Sequence, residues 1–163
     1  MYLLNRYILI LYIHMPQLNK HKAEKLYNKY FKQMKKIVGN TTTYSSTLYK
    51  VGKKLFGNNF IGVFTSDNIP TIPNAHMCIV NLDTSKQSGS HWVGIIKDKG
   101  RILIYDSFGR KAIKILSKVK NIDKYIDTEL DKEQDISESN CGARCLAYLM
   151  VYHKHGYTYA KWI

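Results

Sequence analysis

The stretch from Cys141 to His153 contains almost no polar side chain except Arg144, and this feature constrains the fold most. A helix that is apolar on every side is buried inside a protein rather than laid on its surface. Ahead of it lie four short runs that are rich in Ile and Val and bounded by turn residues, as strands are. These runs are Phe60–Phe64, Met77–Leu82, His91–Ile96 and Arg101–Tyr105. We therefore predict an α+β fold in which a central sheet, mixed or antiparallel, packs on the buried helix.

Further elements are predicted on either side of these runs. Residues 17–38 repeat apolar side chains at helical spacing, and Gly39 and Asn40 then provide a stop signal. A shorter helix is expected over Arg110–Val119 and another strand over Lys124–Ile126. The predicted buried face of the first helix consists of Ala23, Leu26, Tyr27, Tyr30, Met34, Ile37 and Val38.

The length of 163 residues fits a single domain, 1–163, whose core over 60–153 needs no disulfide framework. The cysteine count is three, with no CxxC pair, which predicts a reducing compartment rather than secretion. Residues 1–15 form an apolar extension that is a buried strand, a helix or a segment upstream of a true start at Met15. Its apolar run is too short to cross a bilayer, so no membrane role is expected.

The net charge of +13 suggests a polyanionic partner, and its distribution is uneven. Residues 1–66 hold eleven bases and one acid, whereas seven acids crowd between Asp123 and Glu138. Lysines recur at helical spacing opposite the apolar face of the first helix, at Lys22, Lys25, Lys29, Lys32 and Lys36. This lysine ridge is either a solvated face or a surface that binds nucleic acid through its phosphates. An AT-rich genome would also enrich Lys without any selection for binding.

Separate segments supply the residue types of an activated thiol. His91 begins a predicted strand, Asp106 follows the next strand, and Cys141 opens the buried helix. A thiol, an imidazole beside it and a carboxylate that orients the imidazole form a nucleophilic site. Gln134, seven residues before the cysteine, can place its amide beside the Cys141 backbone N–H as an oxyanion hole. Each residue alone is more often structural, and it is the ordered set that indicates catalysis.

The predicted helix start gives Cys141 a suitable environment. Unpaired N–H groups and the helix dipole at that end lower a thiol pKa. Ser139 or Asn140 is expected to cap the helix, and Gly142 to let a substrate backbone approach. A zinc site is the alternative for a set of five His and Cys residues, two of them from the nucleophilic site, but their spacing fits no structural zinc pattern, so no metal is predicted. Those residues are His76, Cys78, His91, Cys141 and Cys145.

More than half of the chain resembles the adenain group of viral maturation cysteine proteases, which is related to the Ulp-type SUMO proteases. The catalytic-histidine strand, the acid-x-Phe-Gly motif and the Cys-Gly helix start all have counterparts here, and the Gln lies at the family's seven-residue separation from the Cys. The matching segments are Phe60–Thr65, Ala75–Asn81, Ser88-Gly-Ser-His-Trp92, Tyr105-Asp-Ser-Phe-Gly109, Gln134 and Ser139-Asn-Cys-Gly142.

The resemblance implies a protease fold permuted relative to papain, with four residues in named roles. His91 would be the general base, Asp106 its orienting carboxylate, Cys141 the nucleophile and Gln134 the oxyanion donor. Trp92 would pack beneath the site. The implied activity is cleavage of viral capsid or core precursor polypeptides, beside small residues such as Gly, during virion maturation.

The resemblance also implies partners and a location. The chemistry of such a thiol protease needs no cofactor, although adenain-like enzymes use DNA and an activating peptide. We expect a monomer in the virion and the infected cell, in the nucleus or a cytoplasmic virus factory. Cys78 is either a cofactor-linking thiol or a buried strand cysteine. Two other functions stay open: a Ulp-like isopeptidase that removes SUMO or ubiquitin, and a basic nucleic-acid-binding protein on an inactive protease fold.

Overall fold

A computed structural model describes residues 2–116, 125–128 and 131–163, with backbone only for residues 2–16, 113, 116 and 127. Its secondary structure forms one α+β domain. In chain order the elements are α1 (Tyr2–Val38), α2 (Ser45–Phe56), β1 (Phe60–Thr65), β2 (His76–Asn81), β3 (Trp92–Asp98), β4 (Arg101–Tyr105), α3 (Ala112–Leu116), β5 (Ile126–Asp127), α4 (Cys141–His155) and α5 (Tyr157–Ala160).

The five strands form one mixed sheet in the order β1-β2-β3-β4-β5. The outer pairs are parallel and the two inner pairs are antiparallel. The four strands predicted from Ile- and Val-rich runs are confirmed to within two residues at each end. For the fifth, β5 begins at Ile126, and Lys124 lies outside the described residues.

Both faces of the sheet are covered. Along β2, Met77 and Ile79 face the side that carries α1, α2 and α4, while Cys78 and Val80 face the opposite side. This alternation is the two-residue period of a strand. Helix α4 is buried without interruption from Cys141 to Val151, so the prediction of a buried helix is confirmed.

Helix α1 buries a stripe at three- and four-residue spacing, made of Ala23, Tyr27, Phe31 and Met34. The stripe continues to the partly buried Val38, four residues beyond Met34. Ile37 lies about 100° around the helix from Val38 and is 52% exposed, so its predicted place in the core is wrong. Phe31 is buried in the structure but was not part of the predicted buried face.

The sequence predicted the C-terminal end of α1 but left several alternatives for the segment before its N-terminal end. At the C-terminal end, Gly39 adopts φ +87° and its N–H donates to the Lys35 carbonyl, as a glycine stop requires. At the N-terminal end the helix continues back to Tyr2, which is one of the alternatives for the apolar extension. Within the described ranges, no helix combines the length and apolar character needed to span a membrane.

Two helices were not predicted and two differ in length. Helix α2 buries Leu48, Gly52 and Phe56 against β1, and α5 is one short turn after α4. The predicted helix over 110–119 is shorter, since α3 covers 112–116, and residues 117–119 lie outside the described part of the chain. Helix α4 continues two residues beyond the predicted end at 153.

Candidate active site

The sheet and α4 bring the three predicted catalytic residues together. His91 directly precedes β3 and Asp106 directly follows β4. Because β3 and β4 are antiparallel, with Gly94 opposite Tyr105, the start of one strand and the end of the other share an edge. Helix α4 packs on β3 and begins at Cys141, which places the thiol at the same edge.

His91 and Asp106 form a buried pair. The Nε2–H group of His91 donates to Asp106 Oδ1 across 2.7 Å. Burial alone would lower the histidine pKa, but the bonds to Asp106 and Cys141 outweigh it and raise the pKa of His91. For Asp106, burial acts to raise the pKa, and hydrogen bonds from His91 and Arg110 lower it below the ordinary value. Asp106 therefore stays ionised and fixes the ring orientation of His91.

Cys141 is arranged to hold a thiolate. Burial would raise its pKa, yet hydrogen bonds from the His91 ring and from the backbone N–H groups of Trp92 and Gly142 lower it. Since Nε2 of His91 faces Asp106, the ring atom available to the sulfur is Nδ1. A lowered thiol pKa beside a raised imidazole pKa favours the thiolate–imidazolium pair.

The N-terminus of α4 is not capped by a side chain, so the predicted cap by Ser139 or Asn140 is wrong. Asn140 is the N-cap residue, but its Oδ1 accepts from Arg144 Nε at 2.8 Å, which draws the oxygen away from the backbone. The first N–H groups of α4 consequently lack the partner that a cap would supply. One of them, from Gly142, already binds the sulfur of Cys141.

Gln134 lies in the same cavity as Cys141, fixed at three points. Its Oε1 accepts from Ser107 Oγ at 2.6 Å, its Nε2 donates to the Glu138 carbonyl at 2.6 Å, and its backbone N–H donates to the Ser107 carbonyl. The side-chain amide has two hydrogens and Glu138 takes one. The other can serve as the oxyanion donor that the sequence predicted.

Trp92 and Gly142 have structural roles beside the thiol. Trp92 packs against the core as predicted, and its Nε1–H donates to the Thr43 carbonyl at 3.0 Å. A Cβ at position 142 would stand 3.0 Å from Thr43 Cβ and 3.1 Å from Leu48 Cδ2. The missing side chain of Gly142 therefore makes room for Thr43 and for Leu48 of α2, and the role of this glycine toward a substrate stays a prediction.

A groove of about 720 Å³ runs past the thiol. His91, Gln134 and Cys141 line it, and its rim carries two strongly exposed apolar side chains, Tyr44 (77%) and Ile136 (87%). Among the described residues, no Lys or Arg lines this groove, although the chain has 25 of them. The groove thus combines apolar and polar walls with one acidic lining residue, Glu138, and this suits an extended polypeptide better than a polyanion.

Three further residues surround the triad: Phe108 belongs to the acid-x-Phe-Gly motif, whereas roles for Arg110 and Arg144 were not predicted. Phe108 stacks on the His91 ring at 4.6 Å between centroids, and Arg110 Nε donates to Asp106 Oδ2 at 2.5 Å. Arg144 binds the segment 134–140, here called the oxyanion loop, because its Nη2 donates to Glu138 Oε2 at 2.9 Å. The scarcity of Arg could have drawn attention to Arg110 and Arg144, since only four of 25 bases are Arg.

The lysine ridge lies apart from this site. All five side chains are exposed on α1, opposite the stripe that packs on α4, and none of them lines the groove. The structure therefore does not bring these residues to the catalytic groove. They are Lys22, Lys25, Lys29, Lys32 and Lys36.

The structure also places the other two cysteines and the residues considered as metal ligands. Cys78 and Cys145 are completely buried, and burial raises the pKa of both thiols. In residues 2–116, 125–128 and 131–163, no three His, Cys, Asp or Glu side chains are grouped as metal ligands. Cys141 is thus distinguished from the other cysteines by its lowered pKa and its place in the groove.

Sequence comparison adds no relatives to this picture. No protein-family model matches the chain, and no curated protein matches it.

Proposed function

We propose that this protein is a cysteine endopeptidase. One observation carries the proposal: Cys141, His91 and Asp106 are hydrogen-bonded in series at the edge of a groove that Gln134 also lines. An imidazole that contacts both a thiol and a buried carboxylate is the arrangement that activates a sulfur nucleophile.

The acylation step uses these groups as follows. The Cys141 thiolate forms a C–S bond to the scissile carbonyl carbon, and the carbonyl oxygen takes up the displaced electron pair. The C–N bond then breaks, and the leaving amine takes the proton held by His91. Water attacks the thioester while His91 accepts its proton, which releases the new carboxyl group and restores the thiolate. Asp106 keeps the imidazole oriented throughout, because its Oδ1 accepts from Nε2.

The oxyanion of each tetrahedral intermediate needs two donors. Gln134 offers the amide hydrogen that Glu138 does not use. Cys141, the first residue of α4, offers a backbone N–H that has no partner within its helix. Both donors belong to segments that other hydrogen bonds already fix, so little reorganisation is required when charge develops.

The substrates we propose are precursor polypeptides of a virus particle. This rests on the resemblance to adenain-like proteases, and a groove with apolar and polar walls that no Lys or Arg among the described residues lines is compatible with an extended peptide. In the same proposal, the lysine ridge binds the phosphate backbone of nucleic acid. The protein would act in the virion and in the infected cell. A Ulp-like isopeptidase would use the same triad, so substrates distinguish the two.

The proposal is tested by cleavage and by thiol alkylation. Candidate capsid precursors and linear SUMO or ubiquitin fusions are incubated with wild type, Cys141→Ala and Cys145→Ala. Cys145 is a matched control because it lies one turn further along α4 but is completely buried. We expect precursor cleavage to require Cys141 alone, and iodoacetamide below pH 7 to modify Cys141 and spare Cys78 and Cys145. Cleavage that survives in Cys141→Ala would refute the mechanism, and cleavage of the fusions alone would favour the isopeptidase.

A further inference from the structure

The carboxylate of Asp106 is held on both of its oxygens. Oδ1 accepts from His91 Nε2 at 2.7 Å and from the Phe108 backbone N–H at 3.1 Å. Oδ2 accepts from Arg110 Nε at 2.5 Å. A carboxylate with a guanidinium on one oxygen and an imidazole on the other cannot rotate without breaking a charge-assisted hydrogen bond.

Arg110 reaches this position because of the turn after β4. Gly109 adopts φ +65° and its N–H donates to the Asp106 carbonyl at 2.8 Å, which returns the chain toward Asp106. The Arg110 guanidinium lies 5.5 Å from the centre of the Phe108 ring, and that ring stacks on His91 at 4.6 Å. Arg110 is thus linked to the His91 ring by two routes, one through Asp106 and one through Phe108.

Two features distinguish the Arg110–Asp106 pair from an ordinary surface ion pair that contributes little. The Nη2 atom of Arg110 is buried and has no hydrogen-bond partner among the described residues, which carries a desolvation cost. The chain also uses Lys for 21 of its 25 basic residues, yet it places an Arg here. A rigid planar fork fits a carboxylate in a way that a flexible ammonium does not.

We infer that Arg110 is a positioning residue for the catalytic histidine, acting through the carboxylate of Asp106 and the ring of Phe108. This inference rests on the proposed peptidase function. Arg110 touches neither the thiol nor the groove. By fixing Oδ2 it leaves Oδ1 in one place, and Oδ1 in turn sets the direction in which His91 Nδ1 faces the sulfur.

The test compares Arg110→Gln and Arg110→Lys with the matched control Arg101→Gln. Arg101 also pairs with an aspartate, Asp98, and its side chain is 37% exposed against 38% for Arg110, but it lies away from the site. For peptide hydrolysis we expect Arg110→Gln to lower kcat about tenfold or more with little change in KM. Arg110→Lys should recover part of the loss, while Arg101→Gln should match wild type.

The second measurement is the pH dependence of Cys141 alkylation by iodoacetamide, which needs no peptide substrate. Removing a positive charge beside Asp106 favours protonation of His91 and Cys141, so Arg110→Gln should move both limbs of the profile upward by roughly half a unit. Arg110→Lys, which keeps the charge, should not move them. A purely structural arginine would lower the melting temperature without shifting the profile.

The outcomes separate the two proposals. If Arg110→Gln is folded, as judged by its thermal melt, and shows wild-type kcat and pH profile, the positioning role is refuted. If Arg110→Gln does not fold, an Arg110→Lys variant with unchanged kcat refutes it equally. If no peptide is cleaved by wild type, the peptidase function fails, but the alkylation profile still decides whether Arg110 acts on the Cys141–His91 pair.

Discussion

The hydroxyl groups of Tyr27 and Tyr105 meet at 2.6 Å in the protein interior, joining helix α1 to strand β4. Arg144 Nη1 donates to the same Tyr27 oxygen at 3.3 Å, and Arg144 in turn holds the loop of Glu138 and Asn140. The basic helix is therefore tied into the same polar network as the oxyanion loop. It is a structural part of the domain rather than an appended tail.

Tyr27→Phe should destabilise the protein by about 1–2 kcal/mol, because two buried groups, the Tyr105 hydroxyl and Arg144 Nη1, lose their hydrogen bonds to the Tyr27 oxygen. Urea unfolding followed by fluorescence measures the difference. Tyr49→Phe, on an exposed part of α2, is the control and should have no measurable effect. Equal stability of the two variants would mean that the hydroxyl pair contributes nothing net.

Asp106→Asn should reduce kcat by roughly one hundredfold or more while KM changes little, because the imidazole loses its orienting anion. Steady-state kinetics on a cleaved precursor peptide measure both constants. Asp98→Asn is the control, since Asp98 pairs with Arg101 and Tyr152 away from the groove. A wild-type kcat in Asp106→Asn would remove this carboxylate from the mechanism.

Replacing the five ridge lysines with Gln should weaken binding to duplex DNA and flatten its salt dependence. Each phosphate contact contributes about 0.9 to the magnitude of the slope of log K against log salt, so this magnitude should fall by up to about 4.5 for five lysines. Fluorescence anisotropy at several salt concentrations gives the slope.

The control for this experiment removes the same charge elsewhere, by changing Lys50, Lys54, Lys86, Lys99 and Lys111 to Gln. If both quintuple variants lose the same slope, net charge rather than the ridge attracts DNA. An unchanged slope in the ridge variant would make the ridge an ordinary solvated face.

Glu133 gives the protein a pH-dependent stability. Burial raises its pKa from the ordinary 4.5 to about 8, with Tyr105, Arg144 and Asp131 as the nearby titratable and charged groups. Because the folded pKa is the higher one, the unfolded chain releases the proton first as pH rises. The stabilising contribution is complete below about 4.5 and is lost as pH rises toward 8.

Urea unfolding between pH 5 and pH 8 should therefore show stability falling by an amount on the order of a few kcal/mol, and Glu133→Gln should remove most of that slope. Glu24→Gln is the matched control, because Glu24 lines the same small cavity from α1. A slope retained in Glu133→Gln would show that other groups cause it.

The strands and the triad could be predicted because each depends on local or ordered signals. Short Ile- and Val-rich runs between turn residues locate strands directly, and the order of His91, Asp106, Gln134 and Cys141 carries the chemistry. Helix α2 was missed because no boundary signal was recognised, although Leu48, Gly52 and Phe56 share one helical face. The Phe60 ring excludes any larger residue at position 52 of this helix, because a Cβ there would lie 2.4 Å from the ring.

The residues that surround the triad could not be predicted in the same way. Asn is a residue type that commonly caps helices, but the Oδ1 atom of Asn140 accepts a hydrogen bond from Arg144, one turn later in α4, instead of from the backbone. Arg110 and Arg144 act through partners whose proximity depends on the turn after β4 and on how α4 meets the oxyanion loop. Such contacts follow from tertiary geometry, which a single sequence does not contain.

Gly142 also limits how this protein can vary over generations. The segment at Thr43 lies between the nucleophile helix, where a Cβ on Gly142 would press on Thr43 at 3.0 Å, and the indole of Trp92. An added or deleted residue between α1 and α2 would therefore be felt at the sulfur, far away in sequence. The exposed turn at Lys99 and Gly100 lies at the far end of β3 from His91, and an insertion there would cost mainly the hydrogen bond from the Gly100 N–H to Asn74 Oδ1. Among descendants of this chain, length variation should collect at that turn and stay out of the α1–α2 connection.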